Sequence, residues 1–389
     1  MTKLRVLIFL STLIIVGFVG TFVTFYARGY RLNTKTLRFQ PNGILVVKSE
    51  PDGASLYING ELRTATNATV SLAPGTYDIE VKKDGFLSWY KRLVIEKEVV
   101  TQVSVSLFRT VPSLSPVTFA GAANPIISDD ESKIAYIITP STENGADKIG
   151  LWVMDIYNLP LGFTREARRI TDGDLTGATY SFSPDAKQIL LTTSNGIFVL
   201  ESGSFTAQAQ RVNISTQKET ILAQWEKDDK AKKTALLKYV PSEMQEIFEK
   251  RTSKLIFSPD ENMILYQASS SGTLPEGLVK ALPGSSTQKQ SRNIQKDNVY
   301  IYDIKEDRNF LIESENVMPY WLPTSRHLLL PQESQVSIMD YDGTNKQVVY
   351  SGSYVAPFAY PFSNTSKLLI LTSLGSGSTT PNLYSLTIK

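Results

Sequence analysis

A unit of short β-strands that recurs five times after residue 108 constrains this sequence more than any other feature. Each copy opens with a strand that ends in a turn of the Ser-Pro-Asp type, seen best at Ser183–Asp185 and Ser258–Asp260. An apolar strand follows, then a third strand, and in most copies a polar outer strand such as Arg168–Thr171 or Gln210–Val212. The apolar strands are Ile134–Tyr136, Ile189–Leu191, Ile264–Tyr266, Leu328–Leu330 and Leu368–Ile370.

Repeated four-stranded units with apolar inner strands predict the blades of an all-β propeller, with five blades or, as the alternative, six. The last copy ends without an outer strand, and Leu114–Phe119 is predicted to supply it. The repeats resemble TolB-type propellers, which combine Ser-Pro-Asp-Gly turns with strands like Leu151–Asp155. Ala186 and Glu261 stand here where that glycine would be.

A second all-β domain is predicted between Gly43 and Phe108, because four tight turns separate short alternating strands. The turns are Pro51-Asp52-Gly53, Asn59-Gly60, Pro74-Gly75 and Asp84-Gly85. The segment resembles a PEGA domain, whose landmarks are Pro51-Asp52-Gly53-Ala54, Leu72-Ala73-Pro74-Gly75-Thr76-Tyr77 and Lys83-Asp84-Gly85-Phe86. This resemblance implies a small β-sandwich in a bacterial surface or envelope protein.

The stretch Leu4–Ala27 is dominated by Leu, Ile, Val and Phe, and Arg5 is its only charged residue. As a helix it is about 36 Å long, enough to cross a bilayer. We therefore expect a single-pass membrane anchor, with a cleaved signal peptide as the alternative. Basic residues on both sides leave the orientation open, and the short N-terminal tail favours an extracytoplasmic C-terminal part.

Composition excludes several classes of site. The chain has 40 basic and 38 acidic residues, a balance that argues against nucleic-acid binding. It has no cysteine and a single histidine, His327, for which a structural or solvent-exposed role is expected. The aspartates of the repeated turns are expected to bond their own backbone. The sequence thus predicts no catalytic, cofactor-binding or metal-binding residues.

An insertion at 215–253 is predicted to be helical, beginning with a capping box at Thr216 and Glu219. Its apolar stripes offer candidate docking residues, which are Trp225, Met244, Ile247 and Phe248. Two interpretations are open: a helical hairpin that packs on the propeller rim, or a lid or docking element for another protein. The long loop Ser269–Asp297, rich in Ser, Gly, Gln and Lys, is predicted to be disordered.

The predicted organisation is a tail and anchor at 1–28, a juxtamembrane linker at 29–42, the PEGA-like domain at 43–108 and the propeller at 109–389. It favours a membrane-anchored extracytoplasmic protein that binds or scaffolds an envelope protein or glycan. In this hypothesis the chain is not an enzyme and the PEGA-like module is a spacer. The alternative is an envelope glycan-active or other hydrolytic enzyme, because propellers host both kinds of function.

Overall fold

The computed structural model describes residues 2–27, 30–33, 38–141, 145–156, 166–315, 317–362, 365–374 and 380–389. They form two compact units. The first contains Met1–Leu107 and Lys280–Lys289, and the second contains Phe108–Val279 and Gln290–Lys389.

The first unit begins with helix α1, Thr2–Ala27. Within it, the 24 residues Leu4–Ala27 are apolar enough to span a bilayer, which fits either a single-pass anchor or a signal peptide. The hydroxyls of Thr12, Thr21 and Thr24 donate to carbonyls one turn earlier, at 2.9, 2.8 and 2.7 Å. These polar groups are therefore satisfied inside the helix, as a hydrocarbon environment requires.

The predicted linker 29–42 contains a short antiparallel hairpin of β1, Tyr30–Asn33, and β2, Arg38–Pro41. Two sheets then form the predicted β domain. Its strands are β3 Gly43–Glu50, β4 Ser55–Ile58, β5 Glu61–Ala65, β6 Ala68–Leu72, β7 Gly75–Lys82, β8 Trp89–Ile95 and β9 Val100–Ser106.

One sheet of this domain has the order β6-β3-β9 and the other the order β5-β4-β7-β8. Side chains from both sheets share one core, which includes Leu45, Leu56, Ile79 and Val105. Ile79 and Val81 are buried and Lys82 is exposed, as the alternating pattern predicts. The parallel pairing of β3 with β9 joins the two ends of the domain and has no local sequence signal.

In the part of the chain that the structure describes, the second unit contains five antiparallel sheets of three or four strands and one two-stranded hairpin. Their strands, in chain order, are β10 Ser113–Pro116, β11 Ala123–Ile127, β12 Lys133–Ile138, β13 Gly150–Asp155, β14 Arg168–Asp172, β15 Thr179–Phe182, β16 Gln188–Thr193, β17 Gly196–Glu201, β18 Thr252–Phe257, β19 Met263–Ala268, β20 Gly272–Thr273, β21 Asn293–Ile294, β22 Val299–Asp303, β23 Arg308–Ile312, β24 Tyr320–Trp321, β25 His327–Pro331, β26 Gln335–Asp340, β27 Gln347–Ser351, β28 Ala359–Phe362, β29 Lys367–Thr372 and β30 Asn382–Thr387.

The five sheets have the orders β11-β12-β13-β14, β15-β16-β17, β18-β19-β22-β23, β24-β25-β26-β27 and β10-β30-β29-β28. Strand β10 pairs with β30, so the segment just before the first repeat completes the last sheet, as predicted. Strands β20 and β21 form a separate small hairpin. Residues 363–364 of the fifth turn and 375–379 of the last long loop lie outside the described residues.

Neighbouring sheets of the second unit share apolar cores. The first and second sheets contribute to one cluster, the third and fourth to another, and the first and fifth to a third. The buried hydroxyl of Tyr360 in the fifth sheet donates to the Pro125 carbonyl in the first at 2.6 Å. Lys133 Nζ reaches from the first sheet to the carbonyl of Ala186 in the second at 2.7 Å. The first and last repeats therefore pack against each other.

The prediction of an outer strand at Gln210–Val212 is wrong, because the second sheet has three strands and Gln208–Gln210 is a 3-10 helix. The Arg211 guanidinium bonds to Thr171 Oγ1 at 2.8 Å and to the Asp172 carbonyl. The segment is held to the first sheet by this side chain and by the bond from the Gln208 N–H to the Asp172 carboxylate, rather than by a backbone ladder.

The repeated turns share one hydrogen-bond pattern. The hydroxyls of Ser128, Ser183 and Ser258 donate to the aspartates two residues later, at 2.6, 2.7 and 2.7 Å. Each aspartate also accepts a backbone N–H from two residues beyond itself. The hydrogen bond from Ser183 holds the pKa of Asp185 below its usual value. These carboxylates therefore close their own turns, as the sequence predicts.

The residue after each of these aspartates adopts the left-handed backbone conformation. The φ angles are 53° for Glu131, 55° for Ala186 and 60° for Glu261, and Ser325 in the fourth sheet has 57°. A residue with a Cβ is strained there by about 1–2 kcal/mol, whereas glycine is not. These turns therefore lack glycine at the position where the backbone conformation favours it.

Glu261→Gly is expected to stabilise the second unit, because Glu261 is exposed and its replacement removes backbone strain without opening a cavity. The gain is about 0.5–1 kcal/mol after the added flexibility of the unfolded chain is subtracted. Thermal melting of the full chain in detergent measures it as a higher midpoint. Glu261→Ala retains the Cβ and is the control, and an equal rise for that variant would contradict the explanation.

The prediction that Ser269–Asp297 is disordered is wrong. Strands β20 and β21 lie in this loop, and its base is fixed to the third sheet by a buried ion pair, Arg292 Nη1 to Asp307 Oδ1 at 3.0 Å. Both side chains of the pair are less than a tenth exposed. The tip of the loop, Lys280–Lys289, belongs to the first unit.

Candidate functional site: a groove beside helix α3

The insertion between the second and third sheets forms two helices, α2 Lys218–Leu237 and α3 Ser242–Arg251. The predicted capping box is not formed. A 3-10 turn at Ser215–Gln217 precedes α2, and Gln217 occupies the cap position without a side-chain bond. Pro241 separates the two helices, and its carbonyl accepts the first backbone bond of α3, from Met244 at 2.9 Å.

One face of α3 packs into the core of the third sheet. Met244 and Phe248, four residues apart on one helical stripe, are buried. The Phe248 ring makes edge contacts with Tyr266 and Tyr302, at centroid distances of 5.1 and 5.7 Å. Such aromatic pairs stabilise a fold by more than the area that they bury, so this face holds α3 against the third sheet.

The adjacent face of α3 lines an open groove of about 470 Å³. Its other wall is the small hairpin of β20 and β21 and the residues that follow β20. The groove is lined by Glu243, Glu246, Ile247, Lys250, Arg251, Gly272, Thr273, Leu274, Pro275 and Ile294. It combines an apolar floor with a charged rim, the usual composition of a binding site.

The rim of the groove is electrostatically balanced. Lys250 Nζ lies 2.7 Å from Glu246 Oε1, and this hydrogen bond lowers the pKa of Glu246. Arg251 Nη1 donates to the Ser271 carbonyl at 2.9 Å, which ties the end of α3 to the hairpin. The groove therefore presents both signs of charge around an apolar centre and suits an amphipathic ligand better than a strongly charged one.

The structure places the four predicted docking residues in different environments. Ile247 is half-buried and lines the groove, whereas Met244 and Phe248 are in the core and unavailable to a partner in this conformation. Trp225 is half-buried on α2 and does not line the groove. Docking through these residues remains a prediction, with Ile247 the member that is placed for it.

The opposite wall of the groove, from Gly272 to Pro275 and at Ile294, was not anticipated from the sequence. These residues lie in a loop whose composition predicted disorder. The buried Arg292–Asp307 pair fixes the base of this loop to the third sheet, and the bond from Arg251 to the Ser271 carbonyl ties the hairpin to α3.

Replacing Phe248 with Ala and Trp225 with Ser is expected to show how differently the two helices are packed. Phe248→Ala should lower the stability of the second unit by about 3–5 kcal/mol, because a buried ring is lost from an aromatic core. Trp225→Ser, at a partly exposed position, should cost less than about 1 kcal/mol. Thermal melting of each variant measures both effects, and equal losses would show that α2 is as firmly packed as α3.

His327 is buried in β25 rather than exposed. Its Nδ1 lies 2.8 Å from Thr324 Oγ1, its Nε2 lies 3.7 Å from Asp340 Oδ1, and Phe108 packs edge-on against its ring. These contacts within the fold indicate a structural role for His327. Among the described residues, no group of three or more His, Asp or Glu side chains is placed to hold a metal ion.

Residues 42–110 match the PEGA domain family. The match coincides with the two-sheet domain of the first unit. No curated protein matches the chain.

Solved structures give weaker likenesses. TolB from Acinetobacter baumannii aligns with 80% of this chain and 60% of its own, at 13% identity and a TM-score of 0.20. Hsv2 from Kluyvelomyces marxianus aligns over 66% of this chain and 74% of its own, at 7% identity and a TM-score of 0.24. An acylaminoacyl peptidase from Pyrococcus horikoshii aligns over 70% and 39%, at 12% identity and a TM-score of 0.21. Similarity this low does not establish a shared function.

Proposed function

We propose that this chain is a membrane-anchored, extracytoplasmic protein that binds or scaffolds an envelope protein or glycan. In this proposal α1 is the anchor, the PEGA domain is a spacer and the second unit is the recognition platform. The observation that carries the proposal is the open groove beside α3, with its apolar floor of Ile247, Leu274 and Ile294.

The proposal includes a five-bladed ring for the second unit. Two observations support it: the shared core of the first and fifth sheets, and the pairing of β10 with β30. In addition, the Glu131 carboxylate in the first turn lies close enough to the backbone N–H of Trp321 in the fourth sheet to interact with it electrostatically. Such a contact between sheets that are not consecutive is expected where innermost strands converge on a central axis.

The hydrogen bonds of the carboxylates favour a binding role over hydrolysis. A glycosidase needs two carboxyl groups that face a shared substrate. The aspartates at 130, 185 and 260 are instead held by the serine and the backbone of their own turns. The groove itself offers Glu243 and Glu246 beside two cations, without a histidine, serine or cysteine in its lining.

Site-specific photocrosslinking in living cells tests the groove. A benzophenone side chain at Ile247 is expected to capture a partner, whereas the same probe at Tyr239, which is 80% exposed between the helices, should not. Thr273→Trp, which fills the groove, should abolish the adduct at position 247. Equal capture from both positions, or capture that persists with the groove filled, would contradict a groove-based function.

Single-cysteine labelling tests the location. Because the chain has no cysteine, Tyr239→Cys provides one exposed thiol on the second unit. A membrane-impermeant maleimide should label this thiol in intact cells to the same extent as after lysis. Labelling only after lysis would place the second unit in the cytoplasm.

A further inference from the structure

The tip of the long loop of the third sheet, Lys280–Lys289, is part of the first unit. It has no strand structure and contains one tight turn, at Pro283-Gly284. The Ser285 hydroxyl closes this turn by donating to the Leu282 carbonyl at 2.7 Å. Gly284 has a φ of 77°, and a Cβ placed there would lie 2.7 Å from the Val100 carbonyl oxygen. The turn therefore sits directly on the start of β9.

The same segment lies along β8 through side-chain hydrogen bonds. Gln288 Nε2 donates to the Arg92 carbonyl at 2.7 Å, and the Val94 N–H donates to Thr287 Oγ1 at 3.3 Å. Strand β8 is the edge strand of its sheet, with β7 on its other side. In an antiparallel pair, alternate residues direct their backbone groups outward. Arg92 and Val94 are two such residues, and both are engaged by this segment.

An open strand edge is a template for pairing with another chain, and covering it with a loop is one way in which proteins prevent this. We propose that residues 280–289 are a displaceable cap on β8, and that the uncapped edge pairs with β8 of a second copy of this chain. This self-association surface is independent of the proposed groove function.

The side chains of β8 fit a second copy. Arg92 is neutralised by Asp78 of the adjacent strand at 2.6 Å, and this bond lowers the pKa of Asp78 to about 2. Tyr90 and Val94 are exposed large side chains on the same face. An antiparallel register that places Arg92 opposite Val94 joins outward-directed residues and keeps the two arginines apart, whereas Arg92 opposite Arg92 would repel.

Two glycines of the loop provide a matched pair of variants. Gly284 and Gly277 have similar φ angles, 77° and 73°, so alanine is strained at both. At Gly284 an added Cβ would collide with the Val100 carbonyl oxygen of β9. At Gly277 no atom lies within 4 Å of an added Cβ. Gly284→Ala should therefore lift the cap and Gly277→Ala should not. Replacing 281–288 by a Gly-Ser segment of equal length removes the cap's bonding groups outright.

The molecular mass of the full chain in detergent, by light scattering, is the readout. The wild type and Gly277→Ala should be monomers, and Gly284→Ala and the Gly-Ser variant should shift to twice that mass. Adding Val94→Pro, which removes an outward N–H and spares the bonds to β7, should restore the monomer. A monomeric Gly-Ser variant, a dimeric wild type, or a dimer that survives Val94→Pro would each overturn the proposal.

Discussion

Glu131→Gln is expected to leave stability unchanged near pH 4 and to raise it progressively between pH 5 and pH 8.5. Burial raises the pKa of Glu131 from 4.5 to about 8. Between these values the folded chain holds a proton that the unfolded chain has released, so the stability of the wild type falls as pH rises, by about 1.4 kcal/mol per pH unit at most. Glutamine resembles the protonated acid and removes this dependence.

Thermal midpoints of the full chain, measured at pH 4 to 9, test this expectation. The matched control is Glu261→Gln, because Glu261 occupies the same turn position in the third sheet with a φ of 60° but is exposed. The control should have the same pH profile as the wild type. A wild-type profile that is retained in Glu131→Gln would show that the carboxylate is solvated and does not bridge to the fourth sheet.

Asp307→Ala is expected to destabilise the second unit by about 3–5 kcal/mol, because it leaves the buried Arg292 charge without its partner. Asp307 also accepts bonds from the Tyr302 hydroxyl at 2.9 Å and from the Leu278 N–H at 2.8 Å. Both donors lose their acceptor in the variant. Since Arg292 and Leu278 stand at the two sides of the long loop, the loop should loosen together with the sheet.

Hydrogen exchange and thermal melting together measure this result. Deuterium uptake at 272–275 and 293–294 should increase along with the fall in melting temperature. Lys346→Ala is the control, because it removes an ion pair of 2.8 Å with Glu315, whose side chain is 64% exposed, and this pair should contribute less than about 1 kcal/mol. Equal effects of the two substitutions, or unchanged uptake at the hairpin, would mean that the buried pair does not hold the loop.

The prediction of the sandwich and the repeated sheets succeeded where the signals are local. Asn59-Gly60 and Asp84-Gly85 form turns through their own backbone preferences, and the buried face of Tyr77–Lys82 follows from the alternation of its side chains. The failures lie where side chains reach across the fold. Arg211 replaces an expected strand by bonding to another sheet, and Arg292 orders a loop whose composition predicted disorder.

The candidate site divides in the same way. The amphipathic stripe of α3 identified Met244, Ile247 and Phe248 as apolar but did not separate the two that are buried from the one that lines a groove. That separation depends on Tyr266, Tyr302 and the hairpin of β20 and β21, which approach α3 only in the folded chain.

By itself, the sequence determined the apolar helix, the turns and the strand periodicities of this protein, because each depends on residues within a few positions of one another. Only the tertiary structure decided that Glu131 lies against the fourth sheet, that β9 runs parallel to β3, and that residues 280–289 lie on β8. Each of these depends on groups far apart in the chain, whose approach is decided by the packing of whole sheets rather than by any local preference.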